Sequence, residues 1–363
     1  MAIYLAHSYE YAARTDPDHT AWFDPKLAKV NATLKAAVLA DVERWGRKHF
    51  GAINMQRTPT GFGMEVLRHA LPEDAKYEQL PAGISDILHG AVSLPHRFEL
   101  FRSTPKGQAY EHDARVAFLA HCRRVPVYLH GHFIADSGSE YLMYRQGWYK
   151  ATVTVPATWK HIGLVPSGKV RIGQQDTYSY PRTPGESFTY WFSGTEMNLL
   201  KGHGWPVEIH NRILFAAEEK GLTGLDPLRR WQEVFVTAIM EAEKLSAETF
   251  HWQLFRSAIR SVALHTIGMF NFNGKAGASS YFDGQQWVEV APAAATPYTL
   301  RFHHPEWWAA ITARTRVATT RLALQVPLAQ LSSIKGDAVV TTLPIDGIAD
   351  TGKVGAYRLK GRF

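Results

Sequence analysis

The chain has 363 residues, of which 45% are hydrophobic and 20% charged, with 28 glycines and 19 prolines. Such a composition is globular and excludes a collagen-like repeat or a long disordered tail, and no apolar run reaches the roughly 18 residues that a membrane-spanning helix needs. Lys and Arg total 40 against 33 Asp and Glu, a net charge of +7 that predisposes the chain to polyanionic partners.

Periodicity predicts a mostly helical start. Leu34, Ala37, Val38 and Val42 recur at helical spacing, and a second amphipathic piece runs from Phe62 to Leu71 and stops at Pro72. Pro72, Pro81, Pro95 and Pro105 predict a loop-rich connection. A strand ending near Asp113 is expected next, with a helix soon after it. Gly147–Pro156 alternates and is β-rich, a strand by pattern. Phe188–Ser193 leads into a short helix from Glu196 to Leu200, and Val207–Phe215 reads as another strand. Two helices follow, over 227–245 and 249–267. Asp283-Gly284 between apolar flanks predicts a hairpin, and a long helix covers 305–326. The stretch Leu331–Thr342 reads as a hairpin around Lys335-Gly336-Asp337. Strands and helices interleave without a βαβ rhythm, which predicts an α+β fold.

The single cysteine, Cys122, permits no intrachain disulfide and reads as a small buried apolar residue. Residues Met1–Ser8 lack the basic start and apolar core of a secretory signal. Both features lead to the expectation of a cytoplasmic location, with no membrane partner. Several familiar chemistries have no motif here: there is no phosphate-binding Gly-x-x-x-x-Gly-Lys-Ser/Thr, no Gly-x-Gly-x-x-Gly, no His-Glu-x-x-His and no Gly-x-Ser-x-Gly. His130-Gly131-His132 and His303-His304 have no second ligand pair at zinc-like spacing.

What remains is a pair of aspartates. Asp113 ends a predicted strand and Asp337 sits at the tip of a predicted hairpin. Carboxylates so placed suit two-metal phosphoryl transfer, in which Mg²⁺ or Mn²⁺ ions activate a 3′-oxygen and stabilise leaving pyrophosphate. Arg256 and Arg260, one turn apart on a predicted helix, suit a triphosphate. Read without chemistry, the same residues are a turn aspartate, a helix cap and two solvated arginines.

The order of these segments resembles the polymerase region of family B DNA polymerases, especially the protein-primed branch of small phages and linear plasmids. Tyr110–Leu119 resembles motif A, D-x-x-S-x-Y-P, with Asp113 on the metal-binding aspartate and Phe118 on the aromatic that excludes a ribose 2′-OH; Val116 replaces its serine. Arg260–Gly268 is similar to motif B, K-x-x-x-N-S-x-Y-G, with Arg260 for the triphosphate-binding lysine and Gly268 kept, and Leu264 and Ile267 for its Asn and Tyr. Ile311–Arg316 is similar to the I-T-A-x-x-R helix. Ser333–Ala338 stands for motif C, Y-x-D-T-D-S, with Asp337 on its second aspartate and Lys335 in place of its first. Asp350–Tyr357 resembles D-x-x-K-L-G-x-W, and Leu88–Ala91 resembles the template-contacting Y-x-G-G/A.

The resemblance covers about residues 60–363 and implies a right-hand polymerase-like palm with fingers helices after an N-terminal, mostly helical region. It implies these regions: 1–85, helical, one reading being an exonuclease remnant; 86–150, palm start with motif A; 151–248, palm and insertion; 249–304, a fingers-like helix and hairpin; and 305–363, palm end with motif C. The implied activity is template-directed transfer of dNTPs to a primer 3′-OH. Asp113 and Asp337 would be catalytic and metal-binding, Arg260, Arg256 and Phe118 would bind nucleotide, and Gly90, Gly268 and Arg316 would contact nucleic acid. The implied cofactor is Mg²⁺ or Mn²⁺, and the implied partners are primer–template DNA and dNTPs. No proofreading activity is expected from the short region that precedes the polymerase-like part. The family's thumb and Lys-x-Tyr motif would follow Asp337, and their lack predicts low processivity or a second protein that supplies the thumb or priming function. The alternatives are a catalytically degenerate DNA-binding or replisome scaffold and, more remotely, a primase or terminal transferase.

Overall fold

The computed structural model describes residues 22–24, 27, 32–56, 58–71, 80–91, 97–102, 108–129, 131–143, 145–172, 175–216, 225–271, 279–282, 287–290, 302–348 and 350–362. In chain order the helices and strands begin with α1 (Ala32–Phe50), α2 (Pro59–Ala70), α3 (Ala82–Ala91), β1 (Phe98–Leu100), β2 (Tyr110–Ala114) and α4 (Ala117–Ala120). There follow β3 (Ile134–Asp136), β4 (Gly147–Thr154), β5 (Gly168–Ile172), β6 (Gln175–Ser179), β7 (Ser187–Ser193), α5 (Gly194–Gly202) and β8 (Val207–Leu214). The remainder is α6 (Arg229–Leu245), α7 (Phe250–Met269), β9 (Ser279–Phe282), β10 (Trp287–Val290), α8 (Pro305–Leu324), β11 (Leu331–Lys335), β12 (Ala338–Thr341) and β13 (Tyr357–Arg362). The chain forms two compact units, one from Met1–Ala75 with Asp226–His304 and one from Lys76–Leu225 with Pro305–Phe363.

The first unit is helical. Thr58 caps α2 by accepting a hydrogen bond from Gly61 N at 3.1 Å, with Pro59 in the first turn where no N–H is needed. The apolar faces of α1, α2 and α6 pack on α7. Between α1 and α6, Trp45 meets Phe235 edge-on with ring centroids 4.9 Å apart, a geometry that aromatic quadrupoles favour. A Cβ on Gly63 would lie 1.9 Å from Thr266 Oγ1, so glycine is what lets α2 approach α7 so closely. Strands β9 and β10 pair antiparallel, and the Asp283-Gly284 turn expected between them lies outside the described residues.

The second unit carries the main sheets. One has five strands in the order β1-β11-β12-β2-β13, another four in the order β3-β8-β4-β7, and β5 and β6 form a ribbon. All these pairings are antiparallel, so the fold is α+β as expected. Helix α8 packs on α3, α4, α5, β11 and β12 and is buried almost all round. Three of its buried threonines satisfy their hydroxyls within the helix: Thr312, Thr315 and Thr319 each donate to the carbonyl four residues earlier, at 2.9 to 3.0 Å. Helix α5 begins with a capping box between Ser193 and Glu196. The other carboxylate oxygen of Glu196 accepts from Arg316 of α8 at 2.9 Å, and both side chains are buried.

Two local readings change. The connection expected to be loop contains α3, because Pro81 stands just before the helix and its carbonyl accepts from Ile84 and Ser85 N at 3.0 Å; a proline there starts a helix instead of breaking one. The final strand β13 had no sequence reading, since Tyr357–Arg362 lacks a clean alternation. Cys122 is fully buried, which raises its thiol pKa well above the usual range.

Two stability predictions follow from the second unit. Glu196→Gln leaves the buried Arg316 guanidinium without its carboxylate and should cost about 3–5 kcal/mol in chemical denaturation, while Glu196→Gln with Arg316→Met should recover most of that loss. Burial, helped by the Arg314 guanidinium, lowers the His121 pKa from 6.5 to about 4. The folded state therefore holds the ring neutral while the unfolded chain protonates it. Stability is full above about pH 6.5, falls with pH and levels off below about pH 4, a contribution of up to about 3 kcal/mol. In thermal melts across this range, His121→Gln should flatten that part of the profile.

Candidate active site

Strand register places the two aspartates on neighbouring elements of one sheet. Strand β2 lies between β12 and β13, with Asp113 opposite Ala338 on one side and Arg358 on the other. The β11–β12 hairpin pairs Lys335 with Ala338, leaving Gly336 and Asp337 as its two-residue turn. Gly336 has φ +63°, a backbone that this position of a tight hairpin requires and glycine adopts without strain. Its N–H donates to Arg97 O at 2.8 Å, and the Arg97 side chain is fully buried. That guanidinium donates to Thr320 Oγ1 at 2.6 Å and Gly163 O at 2.9 Å, pairs with Glu99 and stacks 4.0 Å over Tyr180. The turn is thereby anchored to the interior, and Asp337 directly precedes the residue across from Asp113.

Residues directly opposite one another in a sheet share a face. Register thus aligns Phe98, Lys335, Ala338, Asp113 and Arg358 in one row across β1, β11, β12, β2 and β13. Two residues from Asp113 on the same face stands Glu111. Asp113 Oδ1 lies 3.4 Å from Arg358 Nε, and its Oδ2 lies 3.9 Å from Lys360 Nζ. Lys360 Nζ donates to Glu111 Oε1 at 2.5 Å. Its pKa is raised by that hydrogen bond and by the charges of Glu111, Asp113 and Asp337.

Among the described residues, no three His, Cys, Asp or Glu side chains are grouped so as to hold a metal ion. The chemistry of the donors nevertheless fits a hard cation. Mg²⁺ is held by one or two carboxylates plus substrate phosphates more often than by an all-protein cage, and here a lysine ammonium already stands where Glu111 and Asp113 attract positive charge.

Around this pair, Val116 adopts φ +53°, ψ +47°, an uncommon conformation for a β-branched residue, and turns the chain from β2 into α4. Arg115 pairs with Asp350 Oδ2 at 2.7 Å, and this bond, with the help of Gly352 N, holds the Asp350 carboxyl below its usual pKa. Phe118 stacks parallel on Trp308, centroids 6.4 Å apart. Gly90 falls in the last turn of α3. Arg316 is interior and bound to Glu196, so its guanidinium is committed to the core instead of a surface that nucleic acid could touch.

Arg256, Arg260 and Gly268 belong to α7 of the helical unit. Arg260, Leu264 and Gly268 form an exposed stripe at helical spacing. Arg256, Ser257, Arg260 and His265 line a cavity of about 580 Å³ with Phe23 and Leu264, and Arg256 also reaches Glu243 at 3.4 Å. The sequence reading missed Glu111, Arg358, Lys360 and Arg97. Strand alternation from Asp113 signals Glu111, whereas the others depend on pairings between distant segments.

No family model matches the chain, and no curated protein matches it. Its fold is similar to Phi29 DNA polymerase as solved with primer–template DNA and incoming nucleotides, at 17% identity and TM-score 0.60, covering 90% of this chain and 55% of that one. It is likewise similar to the same polymerase with single-stranded DNA, at 15% identity and TM-score 0.58, over 90% of this chain and 55% of that one. An orthorhombic crystal form gives 16% identity and TM-score 0.59, over 89% and 55%. The chain therefore spans little more than half the length of that polymerase. What the likeness establishes is the fold, a polymerase-like palm and fingers.

Proposed function

We propose that this chain is a template-directed DNA polymerase that transfers dNTPs to a primer 3′-OH. The observation that carries the reading is the register that sets Asp337 beside the residue facing Asp113, in a fold shared with a DNA polymerase. Asp113 and Asp337 would hold Mg²⁺ or Mn²⁺, which when bound supplies charge stabilisation to a reacting phosphate. The chain's own side chains would do the positioning. Arg260, with Arg256, takes the triphosphate through charge-assisted hydrogen bonds, Phe118 crowds a ribose 2′-OH, and the exposed backbone at Gly268 lets a nucleotide approach closely. Gly90 is assigned to template contact. The net charge of +7 favours DNA as the partner.

A second reading has its own support. Lys335 replaces a carboxylate in the aligned row, and Arg358 and Lys360 both engage Asp113. These cations favour a protein that keeps the fold to bind DNA, alone or in a replisome, and has lost the chemistry.

Extension of a labelled primer–template with four dNTPs and Mg²⁺ or Mn²⁺ separates the two. The polymerase reading expects extension in the wild type and a loss of about 10²-fold or more in Asp113→Asn and in Asp337→Asn, with salt-sensitive DNA binding kept in both. No extension by the wild type, with DNA binding intact, selects the scaffold. Arg260→Ala should raise the KM for dNTP by about tenfold or more, and Arg260→Lys should recover part of it because a lysine keeps the charge without the fork.

A further inference from the structure

Two cations engage Asp113, Arg358 and Lys360, and of these Lys360 is the one that also reaches Glu111. Strand β13 pairs with β2 through Leu359↔His112 and then Gly361↔Glu111, so Lys360 is an extra residue in the ladder. Such a bulge re-aims a side chain. Lys360 is thereby directed onto the face that carries Glu111 and Asp113, at 2.5 Å from Glu111 Oε1 and 3.9 Å from Asp113 Oδ2.

We propose that Lys360 is a tethered cation that occupies the cation site at Glu111 and Asp113 and must withdraw before a divalent ion binds there. The proposal rests on the reading of Asp113 as a metal ligand. Three observations carry it. The bulged Lys360 side chain is half exposed, so it does not fill the core. An exposed lysine on an edge strand, as β13 is, has room to swing into solvent on its flexible four-carbon stem. Its contacts are with the carboxylates that a hard cation would also seek. An ammonium and a divalent ion cannot share one set of oxygens, so the occupancy of each reports on the other. Glu111, in this arrangement, is the positioning residue that holds Lys360 over Asp113. The plainer role for a charged residue here is to blunt a sheet edge against pairing with another chain, and that role predicts no coupling to metal.

The experiment is a titration of the full-length protein with Mn²⁺ alone, without DNA or nucleotide, in which free Mn²⁺ is read by electron paramagnetic resonance. Lys360→Met, which keeps the stem and removes the charge, should tighten Mn²⁺ binding by about tenfold, and adding Asp113→Asn should abolish the gain. Lys360→Arg, which restores a cation, should bind as weakly as the wild type. Should Lys360→Met itself lower the thermal midpoint, Lys360→Gln serves as the second neutral variant. If neither neutral variant tightens binding while Asp113→Asn still weakens it in the wild type, the tethered-cation proposal is overturned and the metal-site reading survives. If Mn²⁺ binds neither the wild type nor any Lys360 variant, both fall together.

Discussion

The buried pairing of Arg316 with Glu196 is the constraint on which the second unit depends. A guanidinium and a carboxylate removed from water are tolerated only when each is hydrogen-bonded. Glu196 meets that demand by closing the capping box of α5 with one oxygen and receiving Arg316 of α8 with the other. The pair therefore fixes two helices to each other at a stated point and orientation. Helix α8 then reaches Arg97 through Thr320, and the backbone of Arg97 holds the turn that presents Asp337. A residue that resemblance assigns to nucleic acid thus serves the site from within, through a chain of interior hydrogen bonds.

Electrostatics at the aspartates pull in two directions. Antiparallel pairing puts Glu111 and Asp113 on one face of β2 with Asp337 in the neighbouring turn, and like charges so placed favour a counterion. The same pairing brings Arg358 and Lys360 to Asp113 from β13 and leaves Lys335 one small residue away in the aligned row. An isolated carboxylate cluster would be a strong cation site and a poor contributor to stability. With basic neighbours it becomes less demanding, and any divalent ion must compete for the oxygens. Under the proposed function, chemistry would depend on that competition as well as on the two aspartates.

Legibility in the sequence followed range. The strand before Asp113, the helix after it, the long α8 and the hairpin around Gly336 were all readable, because alternation, helical spacing and turn glycines act over a few residues. Phe118 lies on the helix expected after Asp113, and its stacking partner Trp308 lies far along the chain. Helix α3 was obscured because a proline at a helix start reads like one in a loop. Strand β13 was obscured because its bulge breaks the alternation by which strands are recognised.

The sequence by itself determined the α+β character, the two aspartates on separate elements, the basic balance and the local conformations around each motif. Tertiary structure decided which of the charges face one another. It buried Arg316 against Glu196, set Asp337 next to the residue across from Asp113, and turned Lys360 onto Glu111. The physical reason is that the energy of a charge depends on its neighbours and its solvent, and those are chosen by strand register and helix packing between residues more than a hundred positions apart.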